Sequence, residues 1–442
     1  RGNYLTMQKN ILIIAHSGAE ETIGICLNLN FYVEVSDGID LASEGKFDLV
    51  IFDTDGFTAE RDKDRRLVFE FLYGRNAEFI VLSSQNDIQA VNQARHYGAR
   101  DFILKPYNYR EFILHLLAVV NRRIRISCIG GGTGLFSLLL GLKTLPQILL
   151  TSIVNMSDDG GSSGKLRASF GILPPGDVRR SLVALSNAPV LMNEVMQHRF
   201  TKGEEFVGHS FGNLFLTALT EIKGSMPEAV KAMGDILNIQ GVVLPVTDTE
   251  TTLCAEFSDG LQVKGESKID ITEGRCPDLP IKRIWHEPAV QCGADVYSAI
   301  INADFVIIGP GDLFTSVATN LLVKGISEAI INTSAKKIYV CNLMTEPGET
   351  ANFDAYNHIR EIVTYLGGDY LDYVVISNTK LTPRAIEEYA KKKQNPVEIG
   401  KLEKIARLTQ AKIILADVGH EEELVRHDSD KLRNEIGKII KP

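Results

Sequence analysis

The hydrophobic pattern of the first 120 residues alternates between short apolar runs and amphipathic stretches. Ile11–Ala15, Phe79–Leu82 and Asp101–Leu104 are short and mostly apolar, which is typical of buried strands. Ile88–His96 and Glu111–Val120 have the longer period of helices. Such alternation predicts a parallel sheet with helices on both faces. The other elements predicted here are Glu20–Leu29, Phe47–Phe52 and Leu67–Phe71.

A new series of strands begins after Arg123, where the apolar run Ile126–Ile129 passes through a glycine turn into an apolar helix. A glycine turn lets the backbone approach a ligand, and the free N–H groups of a helix start favour an anion. The dinucleotide fingerprint is incomplete because Ser137 replaces its third glycine. The pattern predicts nucleotide binding, and a tight turn without a ligand is the alternative. The candidate ligand residues are Gly131, Gly132, Thr133 and Gly134.

The next predicted strand, Ile148–Val154, leads into a polar segment rich in glycine and serine. Asn155 lies where a doubly wound site holds ribose hydroxyls. Asp158 and Asp159 are candidate Mg²⁺ ligands, and Gly160 to Gly164 predict a second flexible loop open to phosphate. A solvated turn is the alternative. The candidate ligand residues are Asn155, Asp158, Asp159, Gly160, Gly161, Ser162, Ser163, Lys165 and Arg167.

Further polar groups are predicted at helix starts and strand ends. Asp177 is expected to cap the helix that holds Arg179 and Arg180, of which one faces a phosphate or both lie on a solvated face. Arg426, just before the last predicted helix, can grip a phosphate bidentately, and His427 beside it is either a ligand group or a structural partner of Asp428. The candidate ligand residues of these segments are Asp177, Arg179, His209, Asn213, Gly309, Gly311, Asp312, Thr315, Ser316, Asn342 and Arg426.

Between Gly241 and Trp285 the pattern changes to short alternating segments. TLCAEF and LQVKGE flank the turn Ser258-Asp259-Gly260, which predicts a hairpin in a small β-rich excursion from the main sheet.

Composition narrows the class of protein. The net charge is −9 and the pI about 5.6, so we expect neither nucleic acid nor an anionic membrane as a partner. The 6 cysteines form no C-x-x-C pair, which favours reduced thiols in a cytoplasmic protein. No run of 18 or more uninterrupted apolar residues predicts a membrane span.

Three strand-end positions of the first module resemble a response-regulator receiver domain. Asp53 occupies the phosphoacceptor position, Ser83 or Ser84 that of the hydroxyl residue, and Lys105 precedes a proline. The family holds Mg²⁺ with an acidic pair after the first strand, whereas this chain has Ala15-His16-Ser17. We expect a degenerate receiver that mediates interaction or dimerisation, with a phosphorylatable receiver as the alternative.

The motifs GGGTG, SDDGGSSGKLR, LPPGDVRR and GHSFGNL occur in that order, followed by FVIIGPGDLFTSVATNLLV, YVCNLMTEPGET and LVRHDSDKL. Together they resemble the YvcK/CofD-like family, which includes 2-phospho-L-lactate transferase and the bacterial gluconeogenesis factors. The SDDGGSSGKLR form is more similar to the YvcK branch. The expected fold is therefore α/β: a flavodoxin-like receiver domain over 1–122, followed by a Rossmann-like doubly wound parallel-sheet domain over 123–442.

The resemblance implies one of two functions. A regulator of the YvcK branch would bind a nucleotide sugar similar to UDP-N-acetylglucosamine, with roles in carbon metabolism, envelope synthesis and cell shape. A transferase of the CofD branch would use Mg²⁺ and a nucleoside-diphosphate-linked donor. We favour the regulator, as no nucleophile with a partnering base stands out and the catalytic residues are unknown. A two-component output is a third reading, but no DNA-binding motif supports it. We also expect a homo-oligomer and a protein partner for the receiver-like domain.

Overall fold

In a computed structural model of the chain, two compact units are formed, one by residues 1–123 with 293–298 and the other by 124–292 with 299–442. The structure describes residues 9–16, 18–37, 47–55, 57, 62–270, 276, 278–422 and 424–441.

The first unit contains a five-stranded parallel sheet in the order β2-β1-β3-β4-β5. This is the flavodoxin-like order that the alternating pattern and the resemblance predict. The strands are β1 Asn10–Ile14, β2 Tyr32–Ser36, β3 Leu49–Asp53, β4 Phe79–Ser83 and β5 Asp101–Leu104. The helices are Glu20–Asn28, Asp62–Gly74, Ile88–His96 and Tyr109–Val120.

Strand β2 was missing from the predicted elements. It is an edge strand, and its sequence YVEVS leaves Tyr32 and Val35 exposed. An edge strand of this kind lacks the continuous apolar run that marks the buried strands, so its hydrophobic pattern is weak.

The second unit is built on a seven-stranded parallel sheet in the order β15-β14-β13-β12-β6-β7-β8. The chain starts at β6, adds β7 and β8 on one side, and then adds β12 to β15 on the other. The strand order therefore reverses between β6 and β12, which is where doubly wound proteins bind ligands. The strands are β6 Ile124–Gly130, β7 Ile148–Val154, β8 Val242–Pro245, β12 Phe305–Ile308, β13 Lys336–Val340, β14 Tyr373–Ser377 and β15 Lys412–Ala416.

Helices cover this sheet, and their apolar faces complete its core. The glycine-rich helix after β6 buries Leu135, Leu138, Leu139 and Leu142. The longer helices are Gly132–Leu142, Gly161–Phe170, Gly176–Leu185, Val190–Gln197, Phe211–Lys223, Met226–Ile236, Ala355–Leu366, Pro383–Lys391 and Ser429–Ile440. A further helix, Ala294–Ile301, begins within residues 293–298, which are assigned to the first unit. Shorter ones are Glu266–Asp270, Ile326–Asn332 and Leu402–Leu408, and a π-helix, Leu313–Ala318, continues into Thr319–Leu321.

The predicted hairpin is present as β9 Thr252–Phe257 and β10 Gln262–Lys264. A third antiparallel strand, β11 Ile281–Glu287, pairs with β9 and was not predicted. A second, two-stranded ribbon joins β16 Gly419–Glu421 to β17 Val425–His427 just before the last helix. Among the described residues, every helix is too short or too polar to cross a bilayer.

Candidate functional site

The glycine segments Gly130–Gly134 and Gly309–Gly311 meet at the point where the strand order reverses. A Cβ atom on Gly134 would lie 2.8 Å from the carbonyl oxygen of Pro310, and one on Gly311 would lie 3.1 Å from that of Gly131. Asn320 ties the same region together, since its Nδ2 donates to the Gly130 carbonyl at 3.3 Å. Glycine is therefore required here by the close approach of two backbone segments, whatever ligand they hold.

Two cavities adjoin this meeting point. The larger has a volume of about 870 Å³ and the smaller one of about 430 Å³, both within the usual range of ligand pockets. Their walls share four residues, Thr133, Leu424, Arg426 and His427. We call the two cavities with this shared wall the cleft.

Arg426 is presented to the cleft by the β16-β17 ribbon. It is exposed and has no ion pair among the described residues. The neighbouring His427 points inward, with its Nε2 3.3 Å from the Cys341 carbonyl, and burial lowers its pKa to about 4. Asp428 is the N-cap of the last helix and accepts from the Lys431 N–H at 2.8 Å. The hydrogen-bond partner of His427 is thus Cys341 instead of Asp428, and because His427 also lines both cavities, its role as a ligand group stays a prediction.

Four of the predicted polar residues form one buried network. Arg179 Nε donates to Asn213 Oδ1 at 2.8 Å, and Asn213 Nδ2 donates to Ser162 Oγ at 3.1 Å. Ser162 Oγ in turn lies 3.1 Å from His209 Nδ1. Burial, followed by the nearby Arg180 and Arg199, lowers the pKa of Arg179 to about 10. These four residues come from three separate motifs of the sequence, and the fold connects them.

The structure corrects the prediction of a flexible loop over Gly160 to Gly164. Gly160 is the N-cap position and Gly161–Phe170 is a helix. A Cβ atom on Gly164 would lie 1.9 Å from the Asp159 carbonyl, so the small residues serve tight packing of a first helical turn instead of loop flexibility. Arg167 is also used within the protein, because its Nη2 donates to the Thr251 carbonyl at 2.7 Å and its Nε pairs with Glu250 at 3.1 Å. Lys165 is exposed on this helix.

The structure also corrects the prediction that Asp177 caps a helix. Pro175 holds the cap position of the helix Gly176–Leu185 without a side-chain hydrogen bond. Asp177 lies in the first turn and pairs with Arg180, Oδ1 to Nη1, at 2.9 Å. It also stands beside Gly131, where an added Cβ would meet Asp177 Oδ2 at 2.4 Å.

The two carboxylates predicted to hold Mg²⁺ have different neighbours. Asp158 lies beside Asp177, and burial first and that carboxylate second raise the pKa of Asp158. Asp159 Oδ1 instead accepts from the Ser267 N–H at 2.7 Å, at the start of a short helix. Within the described ranges, His, Cys, Asp and Glu side chains form no group of three able to hold a metal ion.

Asn155 is buried and its amide is engaged within the protein. Its Nδ2 donates to the Thr315 carbonyl at 3.1 Å and to Glu266 Oε2 at 3.2 Å, while its Oδ1 accepts from Ser157. The residue expected to hold ribose hydroxyls thus connects the segment after β7 to the π-helix.

The segment after β13 contributes one structural and one cleft carboxylate. Glu349 accepts from the Phe314 N–H at 2.9 Å and from Thr315 Oγ1 at 2.7 Å, which fixes the start of the π-helix. Glu346 lines the smaller cavity and accepts from Gln394 Nε2 at 2.5 Å. Burial first and Asp312 second raise the pKa of Glu346 to about 7.

The cleft therefore collects part of the predicted set. The predicted residues that line it are Thr133, Gly134, Arg179, Gly311, Asp312, Asn342 and Arg426. Other predicted residues do not line it, including Gly309, whose φ is 73°, and the buried Ser163 and Ser316. Residues outside the predicted set also line the cleft, among them Arg199, His420, Tyr389, Lys392 and Gln394. They lie in segments without a glycine motif, so no local signal marks them.

In the first unit, the receiver-like positions do come together at the strand ends. Asp53 is buried, and its Oδ2 lies 2.5 Å from Lys105 Nζ. Asp55, which the pattern did not single out, pairs with Lys105 at 3.1 Å and accepts from the Ser84 N–H at 2.7 Å. Burial opposes the lysine charge, but the two carboxylates outweigh it and the pKa of Lys105 is raised. Ser17 lies outside the described residues.

The fold and the cleft define a doubly wound α/β protein with two adjoining cavities at the reversal of its strand order. The family model for 2-phospho-L-lactate transferase CofD matches residues 126–418, and the chain belongs to this CofD family.

Several relatives carry the name gluconeogenesis factor. The protein of that name from Bacillus subtilis is 38% identical over 323 residues, which cover 73% of this chain and 100% of the relative. The one from Halalkalibacterium halodurans is 40% identical over 308 residues, 70% of this chain and 94% of the relative. A crystal structure of a UPF0052 family protein from Bacillus halodurans is 39% identical, covers 71% of this chain and 99% of its own, and has a TM-score of 0.67.

Proposed function

We propose that the chain is a regulatory protein that binds a nucleotide sugar of the UDP-N-acetylglucosamine type in the cleft. The observation that carries the proposal is that Thr133 and Arg426 line both cavities. A diphosphate at this shared wall would meet the N–H groups at the start of helix Gly132–Leu142 and the guanidinium group of Arg426. The two ends of the ligand would then extend into the two cavities.

The smaller cavity supports an uncharged, hydroxyl-rich or amide-bearing group. Asn342 and Gln394 contribute amides, and Tyr389 contributes a phenol ring. Such groups donate and accept hydrogen bonds without requiring a charged partner. They are suited to a sugar, an N-acetyl group or a nucleobase.

Mg²⁺ is part of the proposal as a companion of the diphosphate. Asp158 is suited to it, because it lies beside Asp177 and a divalent cation would offset the repulsion between the two carboxylates. Asp159 accepts from the Ser267 N–H with Oδ1, so Oδ2 is the oxygen that it would offer to the cation.

The biological part of the proposal follows the relatives. Their name, gluconeogenesis factor, supports a role in carbon metabolism for this chain. We extend the proposal to envelope synthesis and cell shape, to a cytoplasmic location, to a homo-oligomer, and to a protein partner that binds the receiver-like unit.

A transferase is the second candidate. The family model is that of a transferase, and Glu346 supports it, since a carboxyl group with a pKa of about 7 in a cleft can exchange a proton near neutral pH. In that case the cleft would take a nucleoside-diphosphate-linked donor and Mg²⁺.

Calorimetry on the full chain separates these candidates. UDP-N-acetylglucosamine and GDP are titrated with and without Mg²⁺, and Arg426→Ala is compared with Arg384→Ala, whose exposed side chain lies on the helix Pro383–Lys391 and lines neither cavity. The regulator predicts saturable UDP-sugar binding that weakens at least about tenfold in Arg426→Ala and stays unchanged in Arg384→Ala. Turnover of a phospholactyl donor would instead establish the transferase.

A further inference from the structure

A second group of basic side chains lines the larger cavity away from the wall that the two cavities share. The group consists of Arg179, Arg180 and Arg199, which line the larger cavity alone. Arg426 is not part of the group, because it lines both cavities. We propose that this trio, Arg179, Arg180 and Arg199, is a second anion subsite, which takes the phosphoryl or carboxylate group of a small metabolite bound beside the nucleotide sugar.

The protein makes room for the buried member of the trio. Arg179 is only 6% exposed and packs against Gly212, where an added Cβ would lie 2.6 Å from Arg179 Cδ and 2.5 Å from the Met196 carbonyl oxygen. Its Nε donates to the neutral amide of Asn213. A buried guanidinium group with a neutral partner keeps most of its desolvation cost, which an anion would offset.

The other two members are held by short local contacts. Arg180 pairs with Asp177 and keeps 39% of its side chain exposed. Arg199 is bridged to Ser210 across a short antiparallel contact, and its guanidinium group donates to the Gly208 carbonyl. Both arginines retain donors that can turn toward the cavity.

The charges around the trio do not balance. Of the three guanidinium groups, Arg180 alone has a carboxylate within ion-pair distance among the described residues. Of the acids on the cavity wall, Asp430 pairs with Arg433 at 2.7 Å, Asp428 accepts from the Lys431 N–H, and Glu422 is exposed, with its Oε1 3.1 Å from His420 Nε2.

This imbalance predicts an oxyanion as the missing partner. The planar guanidinium fork matches the geometry of phosphate and carboxylate, so a ligand carrying one of them would neutralise the cluster with paired hydrogen bonds. The subsite belongs to the larger cavity, whereas a diphosphate held by Thr133 and Arg426 would lie at the shared wall. The inference rests on the proposed function to this extent, because it assigns the shared wall to the nucleotide sugar.

Titration calorimetry with inorganic phosphate, and in parallel with citrate, tests the subsite on the full chain saturated with UDP-N-acetylglucosamine. We expect a saturable oxyanion site, weakened about tenfold or more in Arg180→Gln and in Arg199→Gln. The same variants should weaken the binding of UDP-N-acetylglucosamine by a smaller factor. Arg199→Lys keeps the charge without the fork and should recover part of the binding. Arg384→Gln, on a helix outside the larger cavity, is the matched control.

Three results would overturn the subsite: no binding of either probe, equal binding by the wild type and Arg199→Gln, or displacement of phosphate by the nucleotide sugar. If UDP-N-acetylglucosamine fails to bind but phosphate binds with the stated dependence on Arg180 and Arg199, the proposed function fails and the anion subsite stands. Tight citrate binding without phosphate binding would assign the subsite to a carboxylate, and the reverse result to a phosphoryl group.

Discussion

Thr133 and Arg426 lie on the walls of both cavities although most of the second unit separates them in sequence. Thr133 is in the first turn of the helix after β6, and Arg426 is in the ribbon before the last helix. The two residues come together because the last helix packs against the helix Gly132–Leu142. The two helices approach so closely that an added Cβ on Gly141 would lie 2.1 Å from the Ser429 carbonyl oxygen. The shared wall is therefore a product of the fold and not of one motif.

Gly134→Ala should destabilise the second unit. The new methyl group would lie 2.8 Å from the Pro310 backbone, so the two glycine segments would have to separate. Overpacking of this kind typically costs roughly 1–3 kcal/mol. Urea denaturation of the full chain measures it. Gly24→Ala is the control, since it lies in a helix with open space around its Cβ position and should be neutral or slightly stabilising. Equal midpoints for the two variants would contradict the packing role of Gly134.

Asn213→Ala should break the buried network around Arg179. The variant removes the acceptor of Arg179 Nε and the donor to Ser162 Oγ, so buried polar groups lose their partners. The expected loss is roughly 1–3 kcal/mol of unfolding free energy. Asn434→Ala, on an exposed turn of the last helix, should cost much less. The network would have no energetic role if both variants had the same denaturation midpoint.

Glu346→Gln should change how stability depends on pH. The pKa of Glu346 is about 7 in the folded chain against an ordinary 4.5, so between these values the native state binds more protons than the unfolded state and stability falls as pH rises. The variant has no titrating carboxyl group at this position, so its free energy of unfolding does not fall in this way. The difference in unfolding free energy between the variant and the wild type should therefore grow from pH 4.5 to 7, by roughly 1–3 kcal/mol.

Urea midpoints across this pH window measure the difference for Glu346→Gln. Glu388→Gln is the control, because Glu388 is exposed and its pKa is lowered by Lys391. A constant offset between Glu346→Gln and the wild type at every pH would show that Glu346 does not titrate in this window.

Asp53 should not become phosphorylated when the chain is incubated with acetyl phosphate and Mg²⁺. Its carboxylate is buried and paired with Lys105, and Ala15 and His16 stand where the receiver family has acidic metal ligands. Without those carboxylates, the charge of an incoming phosphoryl group lacks a bound Mg²⁺ to neutralise it. Phos-tag electrophoresis or intact-mass measurement checks this. Label that appears in the wild type and disappears in Asp53→Asn would instead show a working phosphoacceptor.

The sequence predicted both parallel sheets because their central strands are short apolar runs bounded by turn residues. The strands that it did not predict include β2 and β11, whose exposed positions interrupt that pattern. It placed Asn155 at a strand end correctly in space, but its partners Glu266 and Thr315 come from distant segments that no local spacing reveals.

The same limit explains the cleft. Glycine motifs mark the segments that approach each other, so Thr133, Gly134 and Gly311 could be predicted. Arg199 and Gln394 are brought to the cavities by loops whose course depends on tertiary packing. The small residues at Gly160 and Gly164 predict a flexible loop, but in the structure they allow a helix to start tightly against Asp159.

A crystal structure of the full chain with UDP-N-acetylglucosamine tests the central claim most directly. The account predicts the diphosphate at the wall shared by the two cavities, within hydrogen-bonding distance of the N–H groups at the start of helix Gly132–Leu142 and of the Arg426 guanidinium group. Nucleotide sugar bound elsewhere, with Thr133 and Arg426 untouched, would contradict it.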